Sequence, residues 1–126
     1  MDPINWNEIP AEALNPRMKR QALHTGRLTI ARLQILKGGQ VPLHSHENEQ
    51  VTAVLEGRLA FQLPEGTVEI GPGDMLVLPP HVPHSVVALE DSLAVDTFAP
   101  RRQDWIDGDD AYLRSGSAAT AEDEIA

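Results

Sequence analysis

Cysteine is absent from the 126-residue chain, which excludes disulfides, thiolate metal ligands and thiol nucleophiles. Basic residues are also few, since 10 Lys and Arg stand against 19 Asp and Glu and the formal net charge is −9. Proteins that bind nucleic acid usually carry a basic stripe that neutralises phosphates. We therefore expect no nucleic-acid partner.

Long hydrophobic runs are absent as well. The longest apolar stretches reach about half of the roughly 20 residues that a membrane-spanning helix needs, so we expect no membrane partner. The first ten residues, MDPINWNEIP, show neither a basic region nor an apolar region of the kind found in secretory signal peptides. Together with the lack of cysteine, this favours a cytoplasmic location.

Short apolar segments separated by Gly and Pro turns fill the chain up to residue 100, with no helical period among them. Such a pattern, with a turn roughly every ten residues, predicts an all-β sandwich or barrel. After Pro100 one or two helical turns could place Trp105, Ile106, Tyr112 and Leu113 against the barrel. The predicted layout is an irregular N-terminal arm (1–17), a barrel (18–100), a C-terminal packing segment (101–114) and a disordered tail (115–126).

Strand parity predicts which side chains face the interior of the barrel. Side chains alternate between the two faces of a strand, so Gln50, Thr52 and Val54 share one face, which we take as the inward one. His84 and Val86 pair in the same way. We expect polar residues at one end of the interior and apolar residues below them, as in a ligand pocket.

Histidine is the most informative residue type in the chain, because four of the five His lie between His44 and His84. His44 and His46 are one residue apart in an extended stretch, so both imidazoles point to the same side. Two imidazoles on one face can chelate a divalent ion.

Glycine spacing around these histidines follows a known pattern. Five residues separate Gly38 from His44. Three residues separate His46 from Gln50, and six residues separate Gln50 from Gly57. A second block runs from Gly73 through Pro79 to His84. The two blocks resemble the two motifs of the cupin superfamily. The resemblance implies a cupin fold, a double-stranded β-helix or jelly-roll barrel. It also implies one bound divalent metal ion (Zn, Ni, Mn, Fe or Co) held by His44, His46, Gln50 and His84.

Two residues depart from the cupin pattern. Gln50 stands where the motif usually has Glu, so the ligands would be neutral and the ion would be a stronger Lewis acid that suits an anionic substrate. Glu49 is the alternative oxygen ligand if the preceding loop is kinked. His81 replaces a motif Gly, and we consider it either an exposed loop residue or a substrate-binding residue.

Asp96 is an unusual charged residue in the apolar strand from Leu93 to Phe98. It either faces inward as a general acid or base, or faces outward in a surface salt bridge. Phe98 shares its face, and Arg102 beyond the strand could grip a carboxylate in a bidentate pair.

Asp96, Phe98 and Arg102, with the four predicted metal ligands, also resemble the end of the pectin-degradation (KdgF-type) cupins. Those proteins linearise 4,5-unsaturated uronates. The resemblance implies an isomerase-like or lyase-like enzyme for a small anionic sugar, with Asp96 and Arg102 catalytic and Phe98 and Arg102 binding substrate. His81 is a further candidate for substrate binding. The alternatives are another metal-dependent cupin activity, such as a dioxygenase, lyase or isomerase, and a cupin that only binds a small ligand.

Cupins commonly pair through their sheets and N-terminal arms. The outward apolar residues Val51, Ala53 and Leu55, together with the arm from Ile4 to Ile9, suit such pairing. We therefore expect a homodimer.

Overall fold

Ten strands, a short α-helix, a 3-10 turn near the N-terminus and a helical turn over residues 111–114 make up the fold over residues 1–114, the part of the chain that the computed structural model describes. All strand pairs are antiparallel. The elements are β1 (Glu12–Asn15), β2 (Met18–His24), β3 (Thr29–Ile35), β4 (Gln40–His44), β5 (Glu49–Glu56), β6 (Leu59–Leu63), β7 (Gly66–Ile70), β8 (Met75–Leu78), β9 (His84–Ala88), β10 (Ser92–Ala99) and α1 (Gln103–Ile106).

The strands form two sheets whose inner faces enclose one hydrophobic core. One sheet has six strands in the order β1-β2-β3-β10-β5-β8, and the other has four in the order β4-β9-β6-β7. Neighbours such as β3 and β10 are far apart in sequence, because the chain crosses repeatedly between the sheets. The predicted all-β jelly-roll class is confirmed.

Inward and outward faces follow the predicted parity. On β5 the side chains of Gln50, Thr52 and Val54 are buried, and His84 and Val86 are buried on β9. Phe98 of β10 lies opposite Gln50, and Asp96 of the same strand lies opposite Thr52.

Gly57 shows why the glycine at the β5–β6 turn is needed. Its φ is +84°, a conformation that side chains bearing a Cβ rarely adopt. A Cβ there would also collide with the carbonyl oxygen of Asp91 and the hydroxyl of Ser92. The positive φ and the close packing at Gly57 fix the position at which β5 ends. They thereby fix the register of the inward residues of β5.

The N-terminal arm is more regular than predicted. Residues Trp6–Glu8 form a 3-10 turn, and β1 pairs with β2 with Glu12 opposite Arg20. The prediction of an irregular arm is therefore wrong for β1. The strand is only four residues long, too short to show a period of its own, and it forms because the edge of β2 offers free backbone groups.

The C-terminal segment covers the open side of the barrel as expected, with one exception. Trp105 and Leu113 are buried, and residues 111–114 are helical again after α1. Ile106 is 42% exposed, so its predicted packing against the barrel is wrong. The predicted disordered tail, 115–126, lies outside the described residues.

Exposed apolar side chains lie on the outer face of β5 and β8. Leu55, Met75 and Val77 are each more than half exposed there. This is the sheet face on which the sequence predicts a homodimer, which stays a prediction. Within residues 1–114, no helix is both long and apolar enough to cross a membrane.

Candidate functional site

Three histidines meet at one end of the barrel interior. His44 ends β4 and lies directly opposite His84, the first residue of β9, while His46 follows in the loop after β4. Each offers a ring nitrogen, and these atoms all lie within 4.8 Å of one another. The three side chains can therefore hold one metal ion.

Backbone carbonyls determine the tautomer of each imidazole. Every Nδ1 lies within hydrogen-bond distance of a carbonyl oxygen, which can only accept, so Nδ1 carries the proton and donates. Each Nε2 is then left with a lone pair, the form that binds metals. The acceptors are Pro42 O for His44 (2.8 Å), Asn48 O for His46 (3.0 Å) and Val82 O for His84 (2.9 Å).

Burial keeps the imidazoles neutral. It lowers the pKa of His44 and the pKa of His46 to about 4, and it lowers the pKa of His84 as well. The positive charge of Arg102 also lowers the pKa of His44 and the pKa of His46. A neighbouring imidazole, if protonated, would act in the same direction: His84 or His46 on His44, and His84 on His46. At neutral pH the histidines are therefore already in the ligating form.

Gln50 supplies an oxygen beside the histidines. Its Oε1 lies 3.0 Å from Nε2 of His46, while its amide nitrogen donates to Oγ1 of Thr52 at 2.9 Å. Since the proton of His46 is on Nδ1, the close pair of Nε2 and Oε1 has two acceptors and no hydrogen between them. Two lone pairs at this separation repel unless a cation lies close to both, so the donors fit a divalent ion.

Thr52 and Asp96 orient the amide of Gln50. The hydroxyl of Thr52 donates to Oδ1 of Asp96 at 2.6 Å, which leaves its oxygen free to accept from the amide nitrogen of Gln50. The amide oxygen must then face the histidines. The role of Thr52 was not predicted, although its inward parity with Gln50 and its place opposite Asp96 pointed to it.

Asp96 faces inward, which decides between the two orientations considered from the sequence. It is 6% exposed and lines the interior cavity. Burial raises the pKa of Asp96 to about 6, although the hydrogen bond from Thr52 and the charge of Arg102 act in the opposite direction. A carboxyl group with such a pKa can exchange a proton near neutral pH.

Arg102 is buried at the exit of β10 and lines the same cavity. Its Nε and Nη2 donate to the carboxylate of Asp104 at 3.0 and 2.8 Å, and Nη2 also donates to the hydroxyl of Tyr112 at 2.8 Å. The guanidinium lies 4.8 Å from the ring centre of Phe98 and 4.5 Å from that of Trp105. Nη1 makes no hydrogen bond within residues 1–114.

The interior cavity has a volume of about 40 Å3. Its polar lining comprises His44, Gln50, Thr52, His84, Asp96, Arg102 and Tyr112. Phe98 forms part of the wall, with its ring edge-on to His46 at 5.7 Å. Of these residues, Tyr112 was predicted only to pack on the barrel.

Asn48 fixes the loop that carries His46. Its side chain is buried and donates to the carbonyls of Pro100 at 2.6 Å and Arg101 at 3.1 Å, just past β10. Its own carbonyl accepts from His46. The loop and the exit of β10 are therefore tied together, and no motif in the sequence indicated this.

Two candidate residues lie outside the cavity. Glu49 is exposed on the outer face of β5, so the alternative in which it replaces Gln50 is wrong. His81 is also exposed and is not part of the lining, which argues against a substrate-binding role. Its φ is +68°, a left-handed conformation that explains why the cupin motif has Gly at this position.

The fold and the site together define a small β-barrel with a histidine-rich cavity suited to a metal ion. The family model for the cupin domain matches residues 31–98, more than half of the chain. The chain belongs to the cupin domain family.

Solved structures similar to this chain agree with that family. KdgF from Halomonas sp. is 33% identical with a TM-score of 0.73, and the match covers 79% of this chain and 94% of that one. An RmlC-like cupin from Shewanella frigidimarina is 29% identical with a TM-score of 0.73, covering 79% and 90%. The polyketide cyclase RemF from Streptomyces resistomycificus is 26% identical with a TM-score of 0.68, covering 79% of each chain. No curated protein matches the sequence.

We predict that Thr52→Val weakens metal binding about 10- to 100-fold, because the amide of Gln50 loses the acceptor that orients it. Titration of the chelator-treated protein with Zn2+ measures the change. Thr97→Val on the outward face of β10 is the matched control and should bind as the wild type does, and Thr52→Ser should restore binding. An unchanged affinity in Thr52→Val would show that the hydroxyl does not orient the ligand.

A second prediction concerns the pH dependence of stability in the metal-free protein. The raised pKa of Asp96 means that the folded state keeps a proton between about pH 4 and pH 6 that the unfolded state has lost. The free energy of unfolding therefore falls as pH rises through this window. Asp96→Asn removes this effect. It should match the wild type near pH 4 and exceed its stability by roughly 3 kcal/mol above pH 7.

Urea unfolding of both chelator-treated proteins across this pH range gives the comparison. The other titrating groups are common to both proteins, so the difference between them isolates Asp96. A difference that does not change with pH would contradict the raised pKa.

Proposed function

We propose that this cupin is a metal-dependent enzyme that acts on a small sugar acid, and that its reaction is ring opening and tautomerisation of a 4,5-unsaturated uronate. The observation that carries the proposal is that His44, His84 and Gln50 line one cavity with Asp96 and Arg102, and that His46 lies beside the other two histidines. A metal site, a carboxyl group able to exchange a proton and a guanidinium group are thus brought to one small volume.

The metal ligands of the proposed enzyme are His44, His46, Gln50 and His84. Bound there, a divalent ion supplies Lewis acidity toward a hydroxyl or carbonyl oxygen of the substrate. All four ligands are neutral, so an anionic substrate offsets the charge that the ligands leave uncompensated.

Arg102 holds the substrate carboxylate in this proposal. Its side chain is 2% exposed, which weakens competition from water. Asp104 occupies Nε and one hydrogen of Nη2, and this pair fixes the plane of the guanidinium. Nη1 then remains to donate to an oxygen in the cavity.

Asp96 is the group that exchanges a proton with the substrate in this proposal. Its Oδ1 accepts from Thr52, and within residues 1–114 its Oδ2 has no hydrogen-bond partner, so Oδ2 is the exchanging atom. Ring opening breaks the bond between C1 and the ring oxygen while the C1 hydroxyl loses its proton and the ring oxygen gains one, which leaves an aldehyde at C1 and an enol at C5. The enol then loses its hydroxyl proton while C4 gains one, which produces a ketone. The substrate is only isomerised, so no oxidant or reductant is needed.

The similarity to KdgF supports this choice of substrate. The residues that resemble the pectin-degradation cupins, namely Asp96, Phe98 and Arg102, all line the cavity. Phe98 forms the wall between Arg102 and His46, where it limits the width of the space beside the metal ligands.

We predict that the metal-loaded protein consumes a 4,5-unsaturated uronate, measured as loss of the ultraviolet absorbance of its conjugated double bond. Asp96→Asn should keep the metal and lower kcat about 100- to 10,000-fold, because the proton-transferring group is removed. Asp109→Asn, an exposed aspartate nearby in the C-terminal segment, is the matched control and should leave the rate unchanged.

A rate equal to the spontaneous reaction would contradict the uronate proposal. Oxygen consumption with other small acids would then favour a dioxygenase, and ligand binding without turnover would favour a binding protein. If Asp96→Asn retains the wild-type rate, Asp96 has no part in the reaction.

A further inference from the structure

Tyr112 is the only tyrosine of the chain and lies beside the candidate metal ligands. Its ring centre is 4.9 Å from that of His44, and the side chain lines the interior cavity. It comes from the C-terminal segment rather than from a barrel strand. Neither cupin motif includes it, and the proposed reaction above gives it no role.

The hydroxyl of Tyr112 accepts two hydrogen bonds. Its oxygen accepts from Nη2 of Arg102 at 2.8 Å and, at the longer distance of 3.5 Å, from Nε1 of Trp105. Guanidinium and indole nitrogens can only donate, so both contacts use the lone pairs of the oxygen. Within residues 1–114 no group accepts the hydroxyl hydrogen. A phenol in a cavity with its donor free can bind a ligand oxygen.

Ion pairs and a backbone contact hold Tyr112 in place. Asp110, two residues before Tyr112, is 3% exposed. Its carboxylate accepts from Arg20 at 2.8 Å and from Arg114 at 3.2 Å. On the other side, the carbonyl of Leu113 accepts from the amide of Asn15 at 2.9 Å. Because Asp110 and Leu113 are both bonded to the N-terminal strands, the hydroxyl of Tyr112 is positioned before a ligand arrives.

We propose that Tyr112 and Arg102 form a carboxylate-binding pair, in which the hydroxyl of Tyr112 donates to one oxygen of the ligand carboxylate and Nη1 of Arg102 donates to the other. The assignment rests on the proposed function only for the class of ligand, a sugar acid. A carboxylate is favoured over a neutral hydroxyl because the free hydrogen is next to a buried cation and close to neutral metal ligands. Tyr112 is therefore a specificity residue for anionic sugars.

The single tyrosine makes a direct spectroscopic test available. Protein loaded with diamagnetic Zn2+ and labelled with 13C at tyrosine Cζ gives one ring resonance, which reports on the hydroxyl. Galacturonate, which is saturated and does not react, should shift this resonance. Galactose, which has a neutral hydroxymethyl group in place of the carboxylate, should not.

The variant Tyr112→Phe keeps the ring against His44 and removes only the hydroxyl. We expect it to raise the Kd for galacturonate at least about tenfold, as for the loss of a hydrogen bond to a charged group. The Kd for galactose should change less than twofold and the zinc content should stay the same. Glu65→Gln, on the exposed turn between β6 and β7, should bind galacturonate as the wild type does.

The outcomes separate this proposal from the proposed reaction. A resonance that galacturonate fails to shift at any concentration, or an unchanged Kd in Tyr112→Phe, overturns the carboxylate-binding pair even if the unsaturated uronate is consumed. Equal shifts with galactose also overturn it, since the hydroxyl would then not read the carboxylate. A shift specific to galacturonate supports the pair even if no turnover is found.

Discussion

Four lone pairs converge at one end of the barrel, and a cation bound among them would offset their mutual repulsion. The backbone imposes this arrangement, because each imidazole donates its only proton to a carbonyl and directs its second nitrogen toward the others. The amide oxygen of Gln50 joins them at 3.0 Å from His46. Burial also keeps the imidazoles from gaining protons, since it lowers the pKa of His44 and the pKa of His46. A metal ion bound by these atoms would relieve the repulsion.

Much of the surrounding structure serves to hold this arrangement. The pairing of β5 with β10 places Thr52 opposite Asp96, and their hydrogen bond turns the amide of Gln50 in the required direction. Asn48 ties the loop of His46 to the exit of β10, where Arg102 begins the C-terminal segment. Consequently the groups proposed to bind metal and the groups proposed to bind substrate are parts of one connected network.

The fold and the cluster of three histidines could be predicted because they depend on local patterns. Alternation within strands decided which residues of β5 and β9 face inward, and the spacing of glycines and histidines identified the cupin barrel. The inward orientation of Asp96 was left open by parity alone, since it requires the register between β10 and β5. His81 is exposed because of the conformation of the turn before β9. The alternation of apolar and polar residues in the sequence gives no information about that turn.

Other features were missed because they depend on contacts between distant segments. Strand β1 is too short to show alternation and exists through the edge of β2. The hydroxyl of Tyr112 reaches the cavity only because the C-terminal segment folds back over the open side of the barrel, held by Asp110 and Arg20. Ile106 was expected to pack because it is apolar, yet it lies on the solvent side of a helix that has room to bury only Trp105.

The most direct test of the account is the metal content of freshly purified protein, measured by elemental analysis beside the double variant His44→Ala, His46→Ala. The account predicts about one divalent ion per chain in the wild type and none in the variant, with the barrel still folded by circular dichroism. Equal metal content in the two folded proteins, or no metal uptake by the wild type on exposure to zinc, nickel, manganese, iron or cobalt, would contradict it.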